Sequence, residues 1–290
     1  EVAVLARAAA QVESAEDGKS GVKGEVTEDS DPYISTGKSG IKFGIPVDQV
    51  PEAARRIAAS PRLRLTAVAM HLGSQLLDAS PYAQGAARLL ELVKALQEAG
   101  HALASLDIGA GLGIRYLHEE PLEPAALAAA VLPIVEGTGL TLHLEPGRYL
   151  VGSAGIMLTT VLYRKHSGGK DFVIVDGGMN DLVRPSHYQA YHEIVEVEPT
   201  GRPELTVDVV GPVCETGDFL ALNRPVPGVE PGEVLAFLGA GAYGFVMGSN
   251  YNSRPRAAEV LVDGGRMGVA RARESFADLI RGEETFPITG

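Results

Sequence analysis

Between Leu63 and Arg148, runs of strand length alternate with helical periods, and each strand ends in a cluster of polar residues or glycines. Leu63 to Met70 alternates and delivers His71-Leu72-Gly73-Ser74. Ser80-Pro81 then supplies an N-cap and a first-turn proline for a helix that carries Leu89, Leu92, Val93 and Leu96 on one face and stops at Gly100. Leu103 to Ile108 is the next strand, closed by Gly109-Ala110-Gly111-Leu112-Gly113-Ile114. A helix over about Pro124 to Glu136 leads into Leu140, Leu142 and Leu144, which read as a buried strand ending in Glu145-Pro146-Gly147-Arg148. This alternation is the pattern of a parallel sheet, open or closed into a barrel, whose strand-end loops gather on one face.

Upstream, Val47 to Ser60 reads as an amphipathic helix, and the alanine-rich residues 1–10 carry a helical pattern. Residues 13–32 hold no apolar period and are expected to be a solvated loop or a damaged strand. After about residue 150 the pattern changes. Phe172 to Val175, Leu205 to Val210, Val234 to Leu238 and Ala258 to Val262 are short β runs separated by Gly, Pro and Asn, with helices only at 185–193 and Glu274–Arg281. The expected division is an α/β part over 1–150 and an antiparallel β-domain over 151–290.

Charge narrows the partners. The net charge of −12, from 25 basic and 37 acidic residues, argues against nucleic acid or an anionic membrane, though a few local arginines suffice for a small anion. Cys214 is the one cysteine, so no intrachain disulfide forms, and a reducing, cytoplasmic setting is expected. No apolar run reaches membrane-spanning length.

The strand-end clusters carry the chemistry. Glu145-Pro-Gly147-Arg148 offers a carboxylate for a protonated ring nitrogen, a glycine N–H and a guanidinium for phosphate or carboxylate, although a plain structural turn has the same composition. His71 stands one step beyond a strand with Gly73 and Ser74 behind it, and the Gly109, Gly111, Gly113 spacing resembles a phosphate cradle rather than a dinucleotide fingerprint. In the second half, Asp176 to Tyr188 places Arg184 and Tyr188 one helical turn apart. Gly211 to Asp218 puts Cys214, Glu215 and Asp218 in one loop, where an isolated cysteine could equally be a small buried hydrophobe. Gly241-Ala-Tyr243-Gly244 holds a phenol in a glycine-lined turn, and Asn250-Tyr251-Asn252-Ser-Arg254-Pro-Arg256 is polar between two apolar runs.

Taken in order, His-Leu-Gly-Ser-Gln, Gly-Ala-Gly-Leu-Gly-Ile, Glu-Pro-Gly-Arg, Asn-Asp-Leu-Val-Arg-Pro, Gly-Pro-Val-Cys-Glu-Thr-Gly-Asp, Gly-Ala-Tyr-Gly and Tyr-Asn-Ser-Arg-Pro-Arg resemble the alanine-racemase-like, fold type III pyridoxal-phosphate decarboxylases, most closely the diaminopimelate decarboxylases. The resemblance runs from about Pro32 to the end and implies a (β/α)8 TIM-type barrel, here lacking its N-terminal strands, followed by an antiparallel β-domain. It implies pyridoxal 5'-phosphate as cofactor, with His71 stacked on the ring, Ser74 on the phosphate, Gly109, Gly111, Gly147 and Arg148 completing the phosphate cup, and Glu145 on the pyridine nitrogen. Cys214 would return a proton, while Arg148, Arg184, Tyr188 and Glu215 grip an amino-acid substrate and Tyr243 touches cofactor and substrate. No metal is implied. The implied reaction is decarboxylation of meso-2,6-diaminopimelate to L-lysine, in a homodimer whose Cys-Glu loop reaches the neighbouring site. Decarboxylation of another basic amino acid or a carboxylated polyamine, and a non-catalytic binding or regulatory relative, are the competing expectations.

The pattern departs from the family in one large respect. The family's Schiff-base lysine lies in a Tyr-Ala-Val-Lys-Ala-Asn-like run, and none of Lys19, Lys23, Lys38, Lys42, Lys94, Lys165 and Lys170 does. The expectation is a family member without its front third, incomplete as an enzyme by itself. Ala110 in place of a usual glycine and Thr216 in place of Ser are smaller changes.

Overall fold

The computed structural model describes residues 2–9, 43–109 and 111–286, the first of these stretches by its backbone pairing. The stretch 13–32 lies outside the described residues. The chain divides into two compact units, Glu1–Ser153 and Ala154–Gly290.

In the first unit the strands are β1 (Val2–Ala9), β2 (Ile45–Pro46), β3 (Leu63–Ala69), β4 (Ser105–Asp107) and β5 (Thr141–His143). They form one sheet in the order β2-β1-β3-β4-β5, parallel throughout. The helices are α1 (Val50–Ala58), α2 (Ser80–Glu98), α3 (Pro124–Val135) and the short α4 (Gly147–Val151). Parallel neighbours need crossover connections, and α2 and α3 supply them between β3, β4 and β5. Their packing explains the residue choice. Ala67, Val68 and Ala69 are consecutive in β3 and all buried, so both faces of the strand are covered. Tyr82, Leu89, Val93 and Leu96 of α2 join Leu127, Val131 and Val135 of α3 and Val68 and Leu106 of the sheet in one core.

Two expectations change here. Residues 1–10, read as helical, contain β1, which pairs in parallel with β3 from Val2 opposite Leu63 to Arg7 opposite Ala69. Alanine's helix preference is worth only about 0.5 kcal/mol per residue, and a ladder with a central strand outweighs it. The strand before Glu145 is not buried: Leu142 is half-buried and Leu144 is 44% exposed. Among the described residues β5 has β4 as its only neighbour, which leaves it at the sheet edge. The parallel strands expected of the barrel are therefore present as a five-stranded sheet.

The second unit holds β6 (Met157–Ser167), β7 (Lys170–Val175), α5 (Arg184–Tyr188), β8 (Ile194–Glu196), β9 (Glu204–Val210), β10 (Phe219–Pro227), β11 (Val234–Phe237), the hairpin β12 (Glu259–Asp263) and β13 (Arg266–Arg271), and α6 (Phe276–Leu279). Six strands form a sheet in the order β10-β9-β7-β6-β11-β8, over a core that includes Val161, Val173, Val175, Val207, Val209, Leu235 and Phe237. The expected antiparallel character holds for every pairing in this sheet but one: β7 and β9 run parallel, because α5 and β8 intervene and return the chain in the same direction. The helix expected over 185–193 is confined to Arg184–Tyr188. Gln189 takes the left-handed conformation (φ 54°) and turns the chain back toward β8. Among the described residues no helix is long and apolar enough to cross a membrane.

Candidate functional site

The loops at the carboxyl ends of β3, β4 and β5 are bonded directly to one another. Leu76 donates its N–H to Gly111 O (2.6 Å), and Gly113 donates to Leu76 O (3.0 Å). Gln75, buried and left-handed at φ 58°, clasps Ile114 with both ends of its amide: Nε2 donates to Ile114 O (2.5 Å) and Oε1 accepts from Ile114 N (3.1 Å). Glu145 N–H donates to Gly109 O (2.8 Å), which brings the third loop against the second.

The glycines are required by this closeness. Gly109 has φ +76°, and a Cβ there would stand 2.3 Å from Met70 O and 3.2 Å from His71 Nδ1. Gly111 has φ +114°, and its Cβ would meet Gly73 O at 2.5 Å. The position of each missing Cβ is thus taken by backbone of the neighbouring loop, with the His71 ring beside Gly109. Gly109 permits this close approach more than it offers a donor, since its N–H is given to Asp107 Oδ1 (2.7 Å). Gly147 N–H is likewise used within its own turn, on Glu145 O (2.8 Å). Glu145 itself is exposed.

Arg148 leaves the first turn of α4 and is 7% exposed. Its Nη1 donates to Tyr116 Oη (2.6 Å), and its Nη2 donates to Ser74 Oγ (2.9 Å). The serine hydroxyl keeps its own hydrogen for a further acceptor. His71, Ser74, Gly109, Gly111, Glu145, Gly147 and Arg148 therefore all lie at the carboxyl ends of β3, β4 and β5. Sequence reasoning assigned no role to Gln75, although it ends the His-Leu-Gly-Ser-Gln motif. Tyr116 carries no local signal at all.

The remaining predicted residues lie in the second unit. Arg184 opens α5 and is buried, with Nη1 2.9 Å from His192 Nε2. Tyr188, at the end of the same helix, is half-buried and meets the His187 ring edge-on at 4.5 Å. Cys214 is exposed, which removes the reading of it as a small buried hydrophobe. Its loop is anchored by Asp218, whose buried carboxylate accepts from Val213 N and Met179 N (both 2.6 Å). Glu215 is exposed and accepts from Tyr251 Oη (2.6 Å); this hydrogen bond, followed by the charge of Glu215, raises the pKa of the phenol. Tyr243 is 44% exposed and left-handed (φ 57°), a strained backbone for an aromatic residue.

A second acidic group supports these loops. Asp176 accepts from Thr159 Oγ1 (2.6 Å) and Thr160 N (2.7 Å). Burial alone would raise its pKa, but those hydrogen bonds together lower it. Asp181 behaves oppositely: burial raises its pKa, only partly offset by the Gly178 N–H and by Arg254 and Arg273. Arg254 ties this loop to the Tyr251 segment through Asn180 Oδ1 (2.9 Å) and Asp176 O (2.5 Å).

Comparison with known proteins places this arrangement. Residues 17–241 match the family described as "Pyridoxal-dependent decarboxylase, C-terminal sheet domain". The diaminopimelate decarboxylase of Aquifex aeolicus is 45% identical over 257 residues, 88% of this chain and 61% of its own length. That of Pseudomonas fluorescens is 46% identical over 266 residues, 92% of this chain and 64% of its own. The crystal structure of diaminopimelate decarboxylase from Helicobacter pylori complexed with L-lysine is similar at a TM-score of 0.82 and 39% identity, over 88% of this chain and 63% of that one. The chain thus spans less than two thirds of the length of these relatives. By its match over both the parallel-sheet unit and most of the β unit, the chain belongs to the pyridoxal-dependent decarboxylase family.

Proposed function

We propose that the native protein decarboxylates meso-2,6-diaminopimelate to L-lysine with pyridoxal phosphate. The observation that supports this reading is that the second unit carries both a guanidinium, Arg184, aimed by His192, and a carboxylate, Glu215, oriented by Tyr251. A substrate whose far end is itself an amino acid needs a cationic partner and an anionic one there.

The parallel-sheet unit fits the cofactor. The close approach of the strand-end loops that Gly109 and Gly111 permit, and the Ser74 hydroxyl beside the Arg148 guanidinium, suit a phosphate. His71 lies against Gly109 where a flat ring can stack, and the exposed Glu145 carboxylate is suited to a protonated ring nitrogen. When bound, pyridoxal phosphate supplies the sink for the electron pair left as the Cα–carboxylate bond breaks. Arg148, Arg184, Tyr188 and Tyr243 hold and orient the substrate, and the exposed Cys214 thiol delivers a proton to the carbon that lost carbon dioxide. The five parallel strands read as an arc of a (β/α)8 barrel. A homodimer is supported by the β12–β13 hairpin, where Val260, Leu261, Val262, Met267 and Val269 are all more than half exposed.

The test is incubation of the native protein with pyridoxal phosphate and meso-diaminopimelate, with lysine and carbon dioxide quantified. Ornithine, arginine and a carboxylated polyamine are run in parallel. Equimolar lysine and carbon dioxide from diaminopimelate are expected. Faster turnover of another substrate would overturn the specificity, and no carbon dioxide from any of them would favour a binding relative.

A further inference from the structure

Beneath Arg184 lies a buried histidine that the proposed chemistry does not use. His192 is 1% exposed. One ring nitrogen, Nδ1, lies 2.8 Å from Leu238 O, and the other, Nε2, lies 2.9 Å from Arg184 Nη1. A carbonyl oxygen can only accept, so Nδ1 must carry the hydrogen. A guanidinium can only donate, so Nε2 must present its lone pair. Both partners impose the same tautomer on the ring.

The framework holds the ring in this position. Leu238 directly follows β11, and Leu238 N–H donates to Glu193 O (2.9 Å), extending the β8–β11 ladder up to the residue after His192. The left-handed Gln189 returns the chain so that His192 comes back under the residue that began α5, and Ala190 N–H bonds to Arg184 O (3.3 Å). The backbone at His192 is fixed again on its other side, where its carbonyl accepts from Arg224 Nη2 (2.8 Å).

We propose that His192 is a positioning residue for the proposed reaction: its Nε2 lone pair fixes the Arg184 guanidinium for a substrate carboxylate without neutralising it. A carboxylate in the same place would hold the arginine equally well but would cancel the charge that the substrate is to meet. A neutral imidazole aims the cation and brings no charge of its own to cancel it. The inference rests on the reading of Arg184 as a substrate ligand.

Three variants of the native holoenzyme and one spectrum test it. His192→Phe keeps the ring volume and removes the lone pair. It is expected to raise KM about tenfold while kcat stays within about threefold. His192→Gln restores an acceptor oxygen and is expected to bring KM back to within about threefold of wild type. Arg184→Met is the control and is expected to raise KM at least as much as His192→Phe. A raised KM in Arg184→Met with an unchanged KM in His192→Phe overturns the positioning role and leaves the substrate reading standing. An unchanged KM in Arg184→Met overturns the substrate reading itself. Independently of turnover and of variant folding, a long-range 1H–15N spectrum of the wild-type protein at neutral pH should show His192 protonated at Nδ1 alone. A hydrogen on Nε2 would overturn the proposal.

Discussion

At the scale of single residues, the candidate site combines groups held rigidly with groups left open. Cys214 is the only cysteine of the chain and is exposed, while Asp218 behind it fixes the loop that presents it. Labelling of the native protein with a thiol reagent, followed by peptide mapping, should therefore modify Cys214 without denaturant. Blocking this thiol should abolish lysine formation while leaving the fold's circular dichroism unchanged. A blocked protein with full turnover would rule out Cys214 as the proton donor. Much of this scale was legible in the sequence, because a histidine after a strand, a glycine series and a Cys-Glu pair are local patterns. What escaped was pairing over distance. Tyr116 meets Arg148 across 32 positions, and only the fold brings phenol to guanidinium.

Among elements, the loops are stabilised chiefly by side chains bonded to backbone. Gln75 satisfies both the N–H and the C=O of Ile114 in a buried setting. Gln75→Ala should destabilise the protein by about 2–4 kcal/mol in urea unfolding, since two buried backbone groups lose their partners. Gln75→Gly, which relieves the left-handed backbone but also removes the amide, should recover only a part of that loss. Glu274 plays the same role in the second unit, accepting from Asn250 Nδ2 (2.6 Å), Arg256 N (2.8 Å) and Arg256 Nε (2.9 Å). The Arg256 side chain above all, then the Arg256 N–H and Asn250, pull its carboxyl from 4.5 down to about 2. A carboxyl depressed by folding adds stability above its unfolded pKa and loses it as pH falls through the folded value. The Tm difference between wild type and Glu274→Gln should therefore be full at pH 7 and shrink from about pH 4.5 downward. A difference that does not change with pH would show that the carboxylate charge is not the cause. Elements were unevenly legible for physical reasons. Strand β10 was missed because Pro225 and Pro227 interrupt it, and prolines are tolerated there because it forms the sheet edge. Strand β6 was missed because its apolar first half continues into an exposed polar one, Tyr163 to Ser167.

For the whole molecule, the two units have separate cores, and the second carries, before α6, a hairpin with little burial of its own. Leu261 and Met267 are 68% and 82% exposed there, an arrangement suited to covering by a second copy. Leu261→Asp should shift the sedimentation equilibrium toward monomer. An unchanged dimer would place the interface elsewhere. The order β10-β9-β7-β6-β11-β8 has a further consequence, for the growing polypeptide. Strand β6 can take β7 on one edge as soon as their hairpin is made, but its other edge and the whole of β8 wait for Val234–Phe237. A nascent chain stalled at Glu233 would expose two open strand edges to its surroundings. Released at that length, it should aggregate or be retained by chaperones, whereas synthesis of the next four residues supplies the strand that closes both.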